Sequence, residues 1–185
     1  MPYKVTKTPL EGLLVLEPTV FEDDRGFFME SFNQQHFDNA VGKNIKFVQD
    51  NHSRSTKGVL RGLHYQINKA QGKLVRVSNG SVFDVVVDIR ASSRTFGHWY
   101  GIELNDQNNK QLWVPVGFAH GFLVMSDVAD FAYKTTEYYV SEFERVIRWD
   151  DPKLEIKWPK NQSIILSQKD QCGVSFNDAD YFESL

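Results

Sequence analysis

From residue 58 onward the chain alternates apolar and polar residues with a period of two. Turn residues interrupt that alternation at short intervals, and no other feature constrains the fold as much. In residues 81–90, Phe83, Val85, Val87 and Ile89 share one face, while Asp84 and Asp88 share the other with Val82 and Val86. The same pattern predicts short strands over residues 99–104, 111–114, 118–125, 130–136 and 146–149. Asn79-Gly80, Thr95-Phe96-Gly97, Asn105-Asp106, Pro115, Ser126-Asp127 and Asp150-Asp151-Pro152 separate them. Many short strands at this spacing predict an all-β sandwich or closed barrel. Strands and helices do not alternate as a parallel doubly wound sheet requires.

Upstream, residues 10–32 read as strands around the turn Glu22-Asp23-Asp24-Arg25-Gly26. One short helix is predicted over residues 33–41: Asn33 can cap it, Phe37 and Val41 fall on one face, and Gly42 can end it. The chain of 185 residues has no visible repeat or linker, so one domain over residues 1–185 is expected. Aromatics make up 14% and Phe numbers 14, more than a minimal core needs, so some of them are expected at a ligand site. A net charge of −3 argues against general nucleic-acid binding, though local basic clusters can still hold an anion. Cys172 is the only cysteine, which rules out an intrachain disulfide. The first residues lack the apolar core of a signal peptide, and no run approaches the roughly 20 apolar residues of a membrane helix. A soluble cytoplasmic protein with no membrane partner is expected.

Two histidines sit inside apolar strand patterns, His64 in Arg61-Gly62-Leu63-His64-Tyr65-Gln66 and His120 in Phe118-Ala119-His120-Gly121-Phe122. His64 shares a face with Gly62 and Gln66, which suggests a lumen that admits a ligand. Imidazole accepts protons near neutral pH, although a hydrogen-bonded core histidine would look the same. Two histidines also raise the question of a metal. There is no His-x-His and no carboxylate shortly after His64. His36, His52 and His98 lie in helix, loop and turn contexts, so the ligand count falls short and no metal is expected. Lys73 opens a strand after a glycine turn; a solvated strand end is the common fate of such a lysine, but an ammonium can also stabilise an enolate. Tyr133 shares a face with Phe131 and Thr135, as a core tyrosine would. Asp170 matters only if it orients a histidine. Arg25, Phe28, Glu30, Gln49, Asn51, Arg54 and Arg61 form a basic and aromatic set. Arginines suit phosphate, but spacing alone reads these residues as scattered surface charge. No Gly-rich phosphate loop is present.

In order along the chain, the landmarks are Phe21-x-Asp23-x-Arg25-Gly26-Phe27-Phe28-x-Glu30, Phe47-Val48-Gln49-Asp50-Asn51-His52-Ser53 and Leu60-Arg61-Gly62-Leu63-His64-Tyr65-Gln66. Gln71-Gly72-Lys73-Leu74-Val75-Arg76, Trp113-x-Pro115-x-Gly117-Phe118-Ala119-His120-Gly121-Phe122, Tyr133-Lys134, Tyr138-Tyr139 and Leu166-Ser167-x-Lys169-Asp170 follow. This ordered set spans nearly the whole chain and resembles the dTDP-4-dehydrorhamnose 3,5-epimerase family of the cupin superfamily. The resemblance implies a jelly-roll barrel and a homodimer with exchanged N-terminal strands. It implies cofactor-free inversion of carbons 3 and 5 of a dTDP-4-keto-6-deoxy sugar. By the same resemblance His64 is the general base, Asp170 its orienting carboxylate, Lys73 the group facing the carbon 4 oxygen and Tyr133 the general acid. Arg25, Glu30, Gln49, Asn51, Arg61, His120, Tyr139, Glu144 and Lys169 match substrate-contacting positions, with Phe28 near the thymine. Arg145 stands where the family more often has a small residue. A single epimerase, a ketoisomerase and a non-catalytic sugar-nucleotide-binding barrel share the scaffold and remain alternatives.

Overall fold

A computed structural model describes residues 2–160 and 163–183 of the chain. The strands in chain order are β1 (Lys4–Lys7), β2 (Leu14–Glu17), β3 (Val20–Asp23), β4 (Gly26–Met29), β5 (Gln49–Thr56), β6 (Leu60–Gln66) and β7 (Lys73–Asn79). They continue with β8 (Ser81–Asp88), β9 (Trp99–Asn105), β10 (Gln111–Val114), β11 (Phe118–Val124), β12 (Val128–Thr135) and β13 (Glu144–Val146). Two short helices, α1 (Gln34–Val41) and α2 (Gln168–Gln171), complete the set, with single 3-10 turns at Ser141–Phe143 and Phe176–Asp178. One sheet runs β1-β2-β10-β7-β12-β5 and the other β13-β6-β11-β8-β9; among the described residues β3 and β4 pair only with each other. Every strand pairing is antiparallel. The fold is all-β, as the alternation predicts, and is the jelly roll that the resemblance implies.

The five-stranded sheet is buried on both faces, and β8 shows how. Val82 and Val86 join the core between the two sheets, with Leu112, Val75 and Phe131 from the opposite sheet. Val85, Val87 and Ile89 belong to a second core on the other face, covered by Ile147, Leu154, Trp158, Phe176 and Phe182 from the C-terminal stretch. Burial removes the polar face that Asp84 and Asp88 seemed to mark, since both are fully buried. Asp88 is satisfied there by Arg90, Ser93 and Thr95. Each fully buried valine or leucine contributes on the order of 1.5–3 kcal/mol, so a double-sided strand is among the most stabilising elements of the fold.

The predicted helix forms within one residue of expectation. The Asn33 side chain accepts from the His36 N–H, Gly42 takes the left-handed conformation at φ 73°, and Phe37 is buried. Phe37 meets Trp113 edge-on at 5.2 Å and Phe47 at 5.1 Å, a third cluster on the outer face of the six-stranded sheet. Much of the phenylalanine excess therefore goes into packing. Two expectations shift. The strand expected over 146–149 is instead β13, two residues earlier at its start and three at its end. β5 was not expected at all, and His52 lies on it rather than in a loop.

Candidate functional site

β6 and β11 bring the two histidines side by side, since His64 and His120 are direct cross-strand partners. Gly62 and Gly121 allow this approach. A Cβ on Gly62 would lie 2.5 Å from Gly121 Cα, and Gly62 has φ +137°. On the facing sheet, Asn51 lies opposite Tyr133, and Ser53 opposite Phe131. The polar character that hid β5 in the sequence thus comes from its inner face, which lines a pocket of about 300 Å³ between the sheets. His64, Lys73, His120, Tyr133, Arg61, Asn51, Tyr139, Glu144 and Lys169 all line it.

Asp170, buried on α2, backs His64 from behind the pocket wall. Ser167 caps that helix and donates its hydroxyl to Asp170 Oδ2 at 2.6 Å. The other oxygen, Oδ1, lies 2.6 Å from His64 Nε2 and accepts from the Gly62 N–H at 3.3 Å. Burial works to raise the Asp170 pKa, but the hydrogen bonds from His64 and Ser167 outweigh it and hold the group at about 2. The carboxylate is therefore ionised, the proton of the short bond sits on His64 Nε2, and Nδ1 keeps the lone pair. Burial lowers the His64 pKa below its ordinary value even though Asp170 pulls it up, and nearby Lys73 lowers it further. The imidazole is neutral near neutral pH, as a base must be.

Lys73 is not the solvated strand end that lysines usually make. Burial lowers its pKa to about 8, against the opposing pull of Glu144 and Asp84, and its ammonium lies 3.4 Å from the His64 carbonyl. Burial raises the Tyr133 pKa, so its hydroxyl keeps its proton. His120 Nε2 faces both oxygens of fully buried Asp84 at 2.9 and 3.0 Å, and its ring stacks on Phe131. This second His–carboxylate pair was missed in the sequence, although a lone Asp among buried valines of β8 was its signal. Among the described residues no cluster of three or more His, Cys, Asp and Glu could hold a metal ion.

At the pocket rim, Glu144 accepts from Lys169 at 2.8 Å and from the Tyr139 hydroxyl at 2.9 Å. Burial works to raise the Glu144 pKa, but these two bonds outweigh it and leave the carboxyl ionised. Arg61 donates Nε and Nη2 to Ser55 at 3.2 and 3.1 Å. Gln49 donates to Asn51 at 2.9 Å rather than facing the pocket. Arg145 reaches Asp180 at 2.6 Å and the carbonyls of Glu142 and Glu144, which ties the rim to the C-terminal stretch. Three of the expected residues are not brought together with the rest. Arg25 is paired with Asp23 on the β3–β4 hairpin, Phe28 is 65% exposed there, and Glu30 holds Asn33 and His36. The hairpin stands off the body, and none of the three lines the pocket.

A family model described as dTDP-4-dehydrorhamnose 3,5-epimerase matches residues 7–178. The chain is 55% identical over 179 residues to the dTDP-4-dehydrorhamnose 3,5-epimerase of Pseudomonas aeruginosa, covering 97% of this chain and 99% of that one. To the Shigella flexneri protein of the same name it is 59% identical, over 96% of this chain and 98% of the relative. Its fold matches a crystal structure of the Legionella pneumophila epimerase in complex with dTDP-4-keto-L-rhamnose at a TM-score of 0.94. That match has 50% identity and covers 96% of this chain and 95% of the other. With the motifs, the jelly roll and the pocket in agreement, the chain belongs to the dTDP-4-dehydrorhamnose 3,5-epimerase family.

Proposed function

We propose that this pocket inverts carbons 3 and 5 of dTDP-4-dehydro-6-deoxyglucose to give dTDP-4-dehydrorhamnose, without a cofactor. One observation carries the reading: a neutral imidazole, a lysine ammonium and a protonated phenol line the same pocket. A hydrogen beside a ketone is acidic because its electron pair can move to the carbonyl oxygen. His64 Nδ1 takes the proton, the pair forms the enolate, and Lys73 meets the charge at oxygen 4. Tyr133 returns a proton on the opposite face, and the phenolate recovers one from solvent or from the imidazolium. Each carbon exchanges one proton and inverts. Asp170 keeps the imidazole in the tautomer whose Nδ1 is free. Arg61, Asn51, His120, Tyr139, Glu144 and Lys169 are the contacts this reading gives to the nucleotide sugar. The test is incubation with that substrate in deuterated water, followed by NMR. Deuterium and inversion at both carbons are expected. Inversion at one carbon identifies a single epimerase, and none at all refutes the reading.

The active species in this reading is a cytoplasmic homodimer that exchanges the β3–β4 hairpin. Three observations support the exchange. Phe21, Phe27 and Phe28 on the hairpin are 50%, 60% and 65% exposed, an apolar tip that calls for a cover. Among the described residues β5 pairs with β12 alone and leaves one edge open beside the pocket. At the hairpin's foot, where Gln111 donates to Ser31, the buried atoms Arg76 Nη1 and Gln111 Oε1 have no hydrogen-bond partner among the described residues. A second copy's hairpin would carry Arg25 and Phe28 to the nucleotide. Mixing inactive Arg25→Ala and His64→Ala proteins is then expected to restore activity. Half of the randomly paired dimers are mixed and have one intact site in two, about a quarter of wild-type activity. No restoration, in subunits shown by light scattering to have exchanged, refutes the shared site.

A further inference from the structure

The chain leaves β12 at Thr135 and crosses the pocket mouth without regular structure before the turn at Ser141–Phe143. Four consecutive residues of this crossing, 137–140, each have a main-chain group held by a glutamine side chain. Gln71 Nε2 donates to the Glu137 carbonyl at 2.8 Å, and Gln66 Nε2 donates to the Tyr138 carbonyl at 3.2 Å. The Tyr139 N–H donates to Gln49 Oε1 at 3.1 Å, and the Val140 N–H to Gln66 Oε1 at 2.7 Å. Gln66 also donates to the Lys69 carbonyl at 2.8 Å and is only 4% exposed. It lies on β6, two residues after His64 and on the same face.

An extended crossing with no ladder partner must satisfy its backbone elsewhere, and water would do so at little cost. Glutamine amides do it here, that of Gln66 buried and those of Gln49 and Gln71 partly buried, and each spends side-chain entropy and desolvation to hold one geometry. A primary amide suits the task because it both donates and accepts, so Gln66 holds a carbonyl and an N–H two residues apart. The outcome is a preset rim, because Tyr139 rises from the crossing to bond Glu144, which in turn holds Lys169.

We propose that Gln66, with Gln49 and Gln71, is a positioning residue that fixes residues 137–140 as a strap over the pocket mouth, so that the Tyr139–Glu144–Lys169 rim is formed before substrate arrives. This rests on the epimerase reading only for its kinetic test. Gln66→Leu keeps the volume and removes the bonds. It is expected to raise KM for dTDP-4-dehydro-6-deoxyglucose at least tenfold with kcat within about threefold. It is also expected to speed amide hydrogen exchange at Val140 and Tyr139 at least tenfold, while the amides of β8 and β11 stay protected. Gln66→Glu still accepts from Val140 but cannot donate, so it should restore Val140 protection and only part of the KM. Gln71→Leu, which removes a single bond, serves if the Gln66 variants do not fold, and should open the Glu137 end alone. Unchanged exchange over 137–140 overturns the strap. A fall in kcat at constant KM overturns the rim and assigns Gln66 to His64 instead. The exchange arm stands even if the protein proves inactive on this sugar, so failure of the strap and failure of the epimerase reading are distinguishable.

Discussion

His64→Ala is expected to abolish deuterium incorporation at carbons 3 and 5, whereas Tyr133→Phe is expected to keep it while losing inversion. The asymmetry follows from the order of steps. Without an imidazole no group with a free lone pair near neutral pKa takes the carbon-bound proton, so no enolate forms. Lys73 cannot substitute, because the proposed mechanism needs its charge to stabilise the enolate and a protonated amine is no base. Removing one acid–base group typically costs about 10²–10⁴-fold, and loss of the base belongs at the upper end. Phenylalanine at 133 removes only the donor on the far face. The enolate then regains a proton from the face it lost one, through the His64 imidazolium, and deuterium enters with retention. Asp170→Asn should resemble His64→Ala more than Tyr133→Phe. Its amide can donate to Nε2 and so favour the tautomer that carries its proton on Nδ1, which blocks the base. The measurement is NMR of substrate recovered from each variant in deuterated water. Inversion by Tyr133→Phe at the wild-type rate, or exchange by His64→Ala, would move the chemistry to other groups.

Much of the scaffold was legible because burial writes itself into the sequence with the period of the backbone. β8 to β12 and the α1 caps follow from apolar spacing, Asn33 and Gly42. Legibility failed where function replaces burial. β5 has hydrogen-bonding residues on the inner face where a core strand would show valine, so its period vanished. The faces of β8 misled for the opposite reason. Asp84 and Asp88 look like a solvated face, yet each is buried and held by partners. Of the candidate site, His64 and His120 stood out as histidines in apolar strands. The pairing of His64 with Asp170 did not, because 106 residues separate them and α2 is only four residues long. Only the family resemblance suggested it. The rim was hidden in the same way. Gln66 reads as one more polar residue on a lumen face, and nothing in its neighbours reveals that its partners lie in residues 69, 138 and 140.

In the proposed mechanism Lys73 is expected to set the alkaline limit of the reaction. Its ammonium must be protonated to meet the charge that grows on oxygen 4, and burial has brought its pKa down to about 8. Activity is therefore expected to fall as pH rises through about 8, well below the range of an exposed lysine. On the acid side the neutral imidazole is the form the proposed mechanism requires. The His64 pKa lies below its ordinary 6.5, so activity should hold until pH drops past that point and fail as the ring is protonated. The two limbs have opposite causes and can be separated. Lys73→Ala should slow solvent exchange and inversion together, by about 10²–10³-fold for one lost electrostatic contact to an oxyanion. It should also abolish the limb near pH 8 while the acid limb remains, moved toward higher pH because Lys73 no longer lowers the His64 pKa. Of the proposed base, electrophile and acid, only Tyr133 then remains to lose a proton on the alkaline side, and burial holds it above its ordinary 10. Exchange rates of carbon-bound hydrogens, followed from well below pH 6.5 to above pH 10, read these limbs without a coupled assay. If the limb near pH 8 survives in Lys73→Ala, it belongs to another group. The ammonium would then be a binding contact, and stabilisation of the enolate would fall to His120 and the Asp84 behind it.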